Sequence, residues 1–417
     1  MPKADAYRLY LFYVGGTAFL YSLIFTVMLF YYAEGVGMNP LQLVLTGTAL
    51  EIGVLLFEVP TGVVADMYSR RLSIIIGIFI TGLAFLLTAI PQVAVILFAQ
   101  ALWGFGFTFT SGATDAWITD EIGETAANRA FVTGTRISLI GALLGVVPSV
   151  ALGSISLELP ILTAGGLFLL MGLILVLFMP ETGFRPREQA QGRRAAFLQT
   201  LHDSRAMLQK RPVLFNILLI GFVFGAFSEG YDRLWAANLS QNIGLPALNT
   251  PLGTFDPVVW FGIIRVTGML LGLLGTGLVQ RYLDMSQLPL IVRALRWLTG
   301  GLFLALVTLS ISHVFWVAVL AICLIGMLRE TIEPLYKAWI NQGLESSVRA
   351  TVFSMAGQAD AIGQLAGGPG IGAIATLYSM GLGMFFSSLL LSPALWLFGV
   401  TLKAERETQA LAKEGFS

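Results

Sequence analysis

Over 417 residues the chain is 56% hydrophobic and 12% charged, with a mean hydropathy of +0.81. A water-soluble domain of that make-up would have to cover its surface with apolar side chains, so the chain reads as an integral membrane protein. Its 24 basic and 24 acidic residues cancel, which gives no electrostatic case for nucleic acid, and a single cysteine, Cys323, excludes an internal disulfide framework.

About twelve apolar segments are long enough to cross a hydrocarbon core, which takes about 20 residues. They centre near residues 21, 53, 81, 106, 141, 169, 226, 269, 299, 326, 361 and 390. The first follows Lys3 and Arg8 and lacks the short core and small-residue cleavage site of a signal peptide, so it is expected to be a retained span. If it runs outward, the outer connections fall near 33–39, 90–93, 153–159, 240–256, 310–314 and 375–380, and none holds a lysine or arginine. The inner set holds Arg70, Arg71, Arg129, the cluster Arg185 to Arg211, Arg281, Arg349, Lys403, Arg406 and Lys413. The positive-inside rule then places both termini in the cytoplasm. Long apolar blocks also exclude a β-barrel, whose strands are short and alternating.

Residues 181–211 form the one substantial polar stretch, and Phe197, Leu201 and Leu208 predict a helix lying on the cytoplasmic surface within it. The expected organisation is a six-helix bundle over 1–180, a linker over 181–211, a second bundle over 212–402 and a tail over 403–417. The halves echo each other. Ala116-Trp117-Ile118 returns as Ala338-Trp339-Ile340, Gly141 and Gly145 as Gly363 and Gly367, Arg129-Ala130 as Arg349-Ala350, and Thr61-Gly62 as Thr276-Gly277, in order and at nearly one offset. The fold class expected is therefore all-α, with twelve transmembrane helices in two pseudo-symmetric six-helix bundles.

Between the second and third spans runs Pro60-Thr-Gly-Val-Val-Ala-Asp66-Met-Tyr-Ser-Arg70-Arg71. Here the chain resembles the major facilitator superfamily of secondary transporters, whose signature at this hinge is Gly-x-Leu-Ala-Asp-Arg-x-Gly-Arg-Arg. Gly62, Ala65, Asp66, Arg70 and Arg71 match it, Val64 stands for the leucine, and Met67 and Ser69 depart from it. The resemblance implies two parallel repeats with a substrate site at their interface near the midplane. It also implies that Asp66 pairs with Arg70 and with an acid at the cytoplasmic end of the fourth span, Asp115 or Asp120, as a gating latch.

Charges inside the spans point to the site of work, because each costs about 2.5–3.5 kcal/mol at a span centre and needs a partner, water or a function. Spans 3, 6 and 12 have none in their interiors, and Arg293 and Arg296 of span 9 sit near its cytoplasmic end. The others carry Glu51 and Glu58, Arg136, Glu229, Asp232 and Arg233, Arg265, Arg329, Glu330 and Glu333, and Asp360. Glu229 and Arg233, Arg329 and Glu333, and Glu333 and Lys337 are four apart and can meet on one helical face. Glu51, Glu330, Asp360 and Arg265 have no such charged neighbour. They must find charges across helices, face water or be protonated. Glu330 also sits one turn before Pro334, which frees a carbonyl and is expected to kink the span.

The proton-coupling candidates are accordingly Asp360, Glu330, Glu51 and Glu229. Candidate cavity residues are Arg233, Arg265 and Arg329, with Trp103 and Phe107 as an apolar surface in span 4. No zinc-ligand pattern, Walker loop or Gly-x-Ser-x-Gly occurs, so neither an enzyme nor ATP drive is expected, and no cofactor. Twelve-span drug:proton antiporters carry Gly-x-x-x-Gly-Pro in span 5; here Gly141 and Gly145 fit but the proline is displaced to Pro148, and Gln100 stands where many members have arginine. The function expected is proton-coupled efflux of amphipathic or drug-like molecules by alternating access. Acids outnumber bases in the lining spans, which suits protons and cationic or neutral cargo. Uptake of a small anionic solute by symport, and a carrier-shaped receptor that moves nothing, are the alternatives. The expected partners are a small molecule, protons and lipid, with a monomer in a bacterial inner membrane.

Overall fold

The computed structural model describes residues 3–186, 212–250, 253–342 and 346–414. Among them the chain forms twelve long helical runs in order: α1 (Asp5–Gly35), α2 (Pro40–Met67), α3 (Arg70–Thr88), α4 (Val93–Ile122), α5 (Glu124–Gly153), α6 (Leu159–Phe178), α7 (Leu214–Ile243), α8 (Val258–Tyr282), α9 (Leu288–Ile311), α10 (Phe315–Gln342), α11 (Ser346–Leu377) and α12 (Met380–Glu414). The surface helix expected around Phe197, Leu201 and Leu208 lies outside the described residues.

Eleven of these runs are long and apolar enough to cross a membrane. The exception to the expected twelve is α11. It has 32 residues, but Gln358, Asp360, Gln364 and its many glycines dilute its hydropathy. Those small residues serve packing instead, as described below. A second feature not expected from the sequence is a short antiparallel hairpin, β1 (Leu248–Thr250) with β2 (Gly253–Phe255), inside the connection between α7 and α8.

Local chemistry sets several helix boundaries. Asn39 and Gln42 form a reciprocal capping box at the start of α2, with Pro40 in the first turn. Ser69 ends the tight α2–α3 hinge by accepting the Leu72 amide at 2.8 Å, a cap worth about 1 kcal/mol. α4 is broken after Thr110, where Gly112 takes φ +70°, so that its last piece, Ala113–Ile122, starts afresh. α10 stays helical through Pro334.

The chain divides into two compact units, residues 1–189 with 245–266 and residues 190–244 with 267–417. In the first, α5 lies on α1 through a glycine face. A Cβ at Gly141 would come 2.3 Å from the Gly15 carbonyl oxygen and one at Gly145 2.5 Å from that of Phe19, and Ser149 donates to the Leu23 carbonyl at 2.6 Å. Small residues at this spacing let helix backbones touch. An aromatic core of Tyr21, Phe25, Phe85, Trp103 and Phe168 fills the space between α1, α3, α4 and α6. The start of α8 joins this unit, with the Phe261 ring 4.7 Å from Phe30.

The second unit repeats the device. A Cβ at Gly363 would come 2.1 Å from the Phe222 carbonyl oxygen and one at Gly367 2.4 Å from that of Ala226, which locks α11 to α7. Trp117 and Trp339, related by the sequence repeat, are both fully buried. Trp117 donates to the Pro180 carbonyl after α6, and Trp339 packs against Phe398 of α12 at 5.7 Å. Each tryptophan thus ties the last span of its unit to the fourth.

Candidate functional site

The charges of the second unit gather where α7, α10 and α11 meet. Arg329 of α10 reaches Asp232 of α7 with both terminal nitrogens, one of these bonds measuring 2.9 Å, so the fork of the guanidinium matches the carboxylate. Its charge also lies 5.7 Å from the centre of the Tyr231 ring and 5.9 Å from that of Phe227. The within-helix pairing of Arg329 with Glu333 allowed by the spacing does not form. Glu333 takes Lys337 at 2.5 Å instead, and Arg329 gains two bonds and two ring faces by crossing to α7.

Glu229 and Arg233 do meet along α7, at 3.3 and 3.4 Å. The carboxylate is 3% exposed, so the pair stands in a place where an unmatched charge would be expensive. Asp360 enters from α11. Its carboxylate accepts the Gln364 amide one turn on at 2.8 Å, and its charge acts on Arg329, Glu229 and Asp232. It has no ion pair of its own among the described residues. A Cβ at Gly225 would fall 1.9 Å from the Asp360 carbonyl oxygen, so α7 and α11 touch at this level and the acid cannot drift from the cluster.

The remaining candidates are more dispersed. Glu330 is exposed, with its stem against α8 where a Cβ at Gly272 would lie 3.1 Å from its Cγ. Arg265 and Glu51 are half-buried, both already engaged, and both in the first unit. Trp103 is held in the aromatic core, 5.3 Å from Phe25 and from Phe85, while Phe107 one turn on is 43% exposed. Among the described residues no three His, Cys, Asp or Glu side chains converge as a metal set.

The hinge forms a second cluster, in the first unit. Of the two acids expected to join Asp66 in the latch, Asp120 pairs with Arg70, and Asp115 is exposed. Arg70 also donates to the Ala116 carbonyl at 2.7 Å, so its ion pair and this bond both fall on the last piece of α4, and its guanidinium lies 5.9 Å from the centre of the Phe184 ring. Asp66 is half-buried and engaged, and a Cβ at Gly62 would meet nothing within 4 Å. Arg71 reaches the Val176 carbonyl at 2.6 Å and, through its amide, Glu181 at 2.9 Å.

Glu181 and Glu121 were not among the candidates, yet they organise this end. Glu181 accepts from Ser69 at 2.6 Å as well as from the Arg71 amide. Glu121 accepts the Thr182 and Gly183 amides at 2.6 and 2.8 Å and the Thr182 hydroxyl at 2.8 Å. The segment Pro180–Gly183 is thereby strapped across the ends of α3 and α4. Its sequence signal was slight: a proline that stops α6, then an acid and a glycine. A cleft of about 640 Å³ nearby, lined by Tyr7, Gly123, Glu124 and Arg129, shares no residue with either cluster.

The model of the Major Facilitator Superfamily matches residues 11–368. An uncharacterized MFS-type transporter of Bacillus subtilis strain 168, YxaM, is 24% identical over 202 residues, which are 48% of this chain and 51% of that protein; the match spans about half the relative's length. Among solved structures, the nucleoside transporter NupG is similar with a TM-score of 0.73 at 13% identity, over 96% of this chain and 99% of that one. A bacterial homolog of the human lysosomal transporter Spinster, inward-facing and unoccupied, gives 0.73 at 13% over 97% and 98%. The peptide transporter POT in complex with sulfate gives 0.70 at 14% over 97% and 94%. At these identities the structural likeness speaks for the fold alone, but the family match extends over most of the sequence, and the chain belongs to the major facilitator superfamily.

Proposed function

We propose that the protein is a proton-coupled secondary transporter that works by alternating access and exports amphipathic small molecules. One observation carries the coupling. In the second unit three carboxylates, Glu229, Asp232 and Asp360, lie with two guanidiniums, Arg233 and Arg329, and among the described residues Asp360 is the one of the three without an ion pair. The group balances when one proton is aboard and carries a surplus negative charge when it is not. In a membrane span such a surplus is expensive, so protonation and the arrangement of α7, α10 and α11 are linked.

Proton loss from Asp360 sets it against Asp232 for Arg329, and proton gain returns Arg329 wholly to Asp232. Glu330, Glu51 and the hinge residues Gly62, Asp66, Arg70, Arg71, Asp115 and Asp120 act in the same cycle on this reading, the first two as further proton sites and the others as the gate. Trp103 and Phe107 offer apolar contact to cargo. The chain works as a monomer in a bacterial inner membrane, with both termini in the cytoplasm.

The test is flux in proteoliposomes. An imposed pH difference drives cargo accumulation by the unaltered protein, and Asp360→Asn abolishes accumulation while sparing passive exchange of cargo for cargo. Accumulation undiminished in that variant places coupling elsewhere. Cargo following protons rather than opposing them selects the symport reading, and no flux for any cargo selects a receptor.

A further inference from the structure

Arg136 differs from Arg293 and Arg296, which also lack a partner among the described residues but sit in the first turns of α9, in lying deep within its span. It lies twelve residues into the 30-residue α5, about 18 Å along the axis at 1.5 Å per residue, close to the helix midpoint. One side of α5 is buried on α1 through Gly141, Gly145 and Ser149, with Ser138 donating to the Val14 carbonyl at 3.2 Å. The other side is open along its length. Val132 is 58% exposed, Ile140 52% and Leu144 62%, and Arg136 is exposed in the same row, one turn from Val132 and from Ile140.

Arg233 and Arg329 are matched by Glu229 and Asp232, Arg70 by Asp120, and Arg265 is engaged. Arg136 makes no ion pair, hydrogen bond or ring contact among the described residues. A guanidinium at this depth is costly unless it meets water or an anion. Its five donors form a planar fork that fits a carboxylate or phosphate with two bonds, whereas an ammonium would act as a point charge. The residues one turn away on each side are bulky hydrocarbon.

We propose that Arg136 binds the acidic head group, carboxylate or phosphate, of an amphipathic cargo whose apolar body lies along Val132, Ile140 and Leu144. This rests on the carrier reading above and names its substrate class: an apolar-bodied anion. It replaces the cationic or neutral preference drawn from the count of acids, because the acids of the second unit are largely matched by arginines of their own.

The experiment measures binding, not proton-driven flux, so loss of the coupling role of Asp360 would leave its result standing. Purified protein in phosphatidylcholine nanodiscs is titrated with 2-naphthoate, 2-naphthyl phosphate and 2-naphthylmethylammonium, and thermal stabilisation is read, since a ligand of the folded state raises its melting temperature. The two anions stabilise the unaltered protein and the cation does not. Arg136→Gln weakens the anions by about tenfold or more, and Arg136→Lys, which keeps the charge but loses the fork, falls between. Should the Gln variant not fold, the Lys variant alone still separates fork from charge. Equal stabilisation by cation and anion, equal affinity in all three proteins, or no response to either anion overturns the proposal. So does a response that arises only from added phosphatidylglycerol and vanishes in Arg136→Gln, which would make a lipid head group the ligand.

Discussion

Arg329 binds Asp232 across two helices with a two-bonded fork, while Asp360 on a third helix stays close enough for its charge to act on the same guanidinium. The cation therefore has one settled partner and one rival. The pair is partly exposed, with side-chain exposures of 34% and 37%. Asp232→Asn should accordingly lower stability by less than the roughly 3–5 kcal/mol typical of breaking a fully buried pair. Thermal unfolding in detergent measures this. The same variant leaves Asp360 as the nearest acid for Arg329, so cargo accumulation should lose most of its dependence on external pH; an unchanged pH profile would mean the two acids do not compete.

Glu330 provides a contrast within one helix. It is exposed, and its stem rests where α8 has a glycine. Glu330→Gln should reduce gradient-driven accumulation less than Asp360→Asn does. Gly272→Ala should displace the stem, because the new methyl would lie 3.1 Å from its Cγ. If Gly272→Ala lowers accumulation while the double variant with Glu330→Gln is no worse than Glu330→Gln alone, the glycine acts through the acid; additive losses would show that it acts by packing.

At the hinge, Asp66→Asn should cut turnover strongly with little loss of folded protein, since the family places a latch there and not a packing contact. Asp120→Asn should do the same, because it strips Arg70 of its ion pair with α4 and leaves it the Ala116 carbonyl and the Phe184 ring. Near-normal turnover in both, with normal expression, would sink the latch.

Much of this was legible in the sequence because it is local or periodic. Apolar length marks the spans, and an interval of four residues joins Glu229 to Arg233 within a single helix. The partner of Arg329 was not legible, since the same interval allowed Glu333 and only the packing of α10 on α7 offers Asp232 a better geometry. The strap of Pro180–Gly183 joins the ends of three helices, and neither Glu121 nor Glu181 has a local partner to betray it. Span 11 reads as weakly apolar for a reason visible only in three dimensions: its glycines are spent on backbone contact with α7.

That contact is itself testable. A Cβ at Gly363 would lie 2.1 Å from the Phe222 carbonyl oxygen, and one at Gly141 2.3 Å from that of Gly15, so neither helix pair can admit even a methyl group without moving apart. Overpacking of this kind typically costs about 1–3 kcal/mol, and here the obstacle is backbone, which cannot rotate aside as a side chain does. Gly363→Ala should therefore lower the melting temperature, and by displacing Asp360 on the same helix it should also impair coupling. Gly141→Ala should lower the melting temperature to a similar degree, while pH-driven accumulation per folded molecule falls less, because the Glu229, Asp232 and Asp360 cluster lies in the other unit. Equal loss of coupling in the two variants would show that any loosening of a helix pair suffices, and that the position of Asp360 has no special part in it.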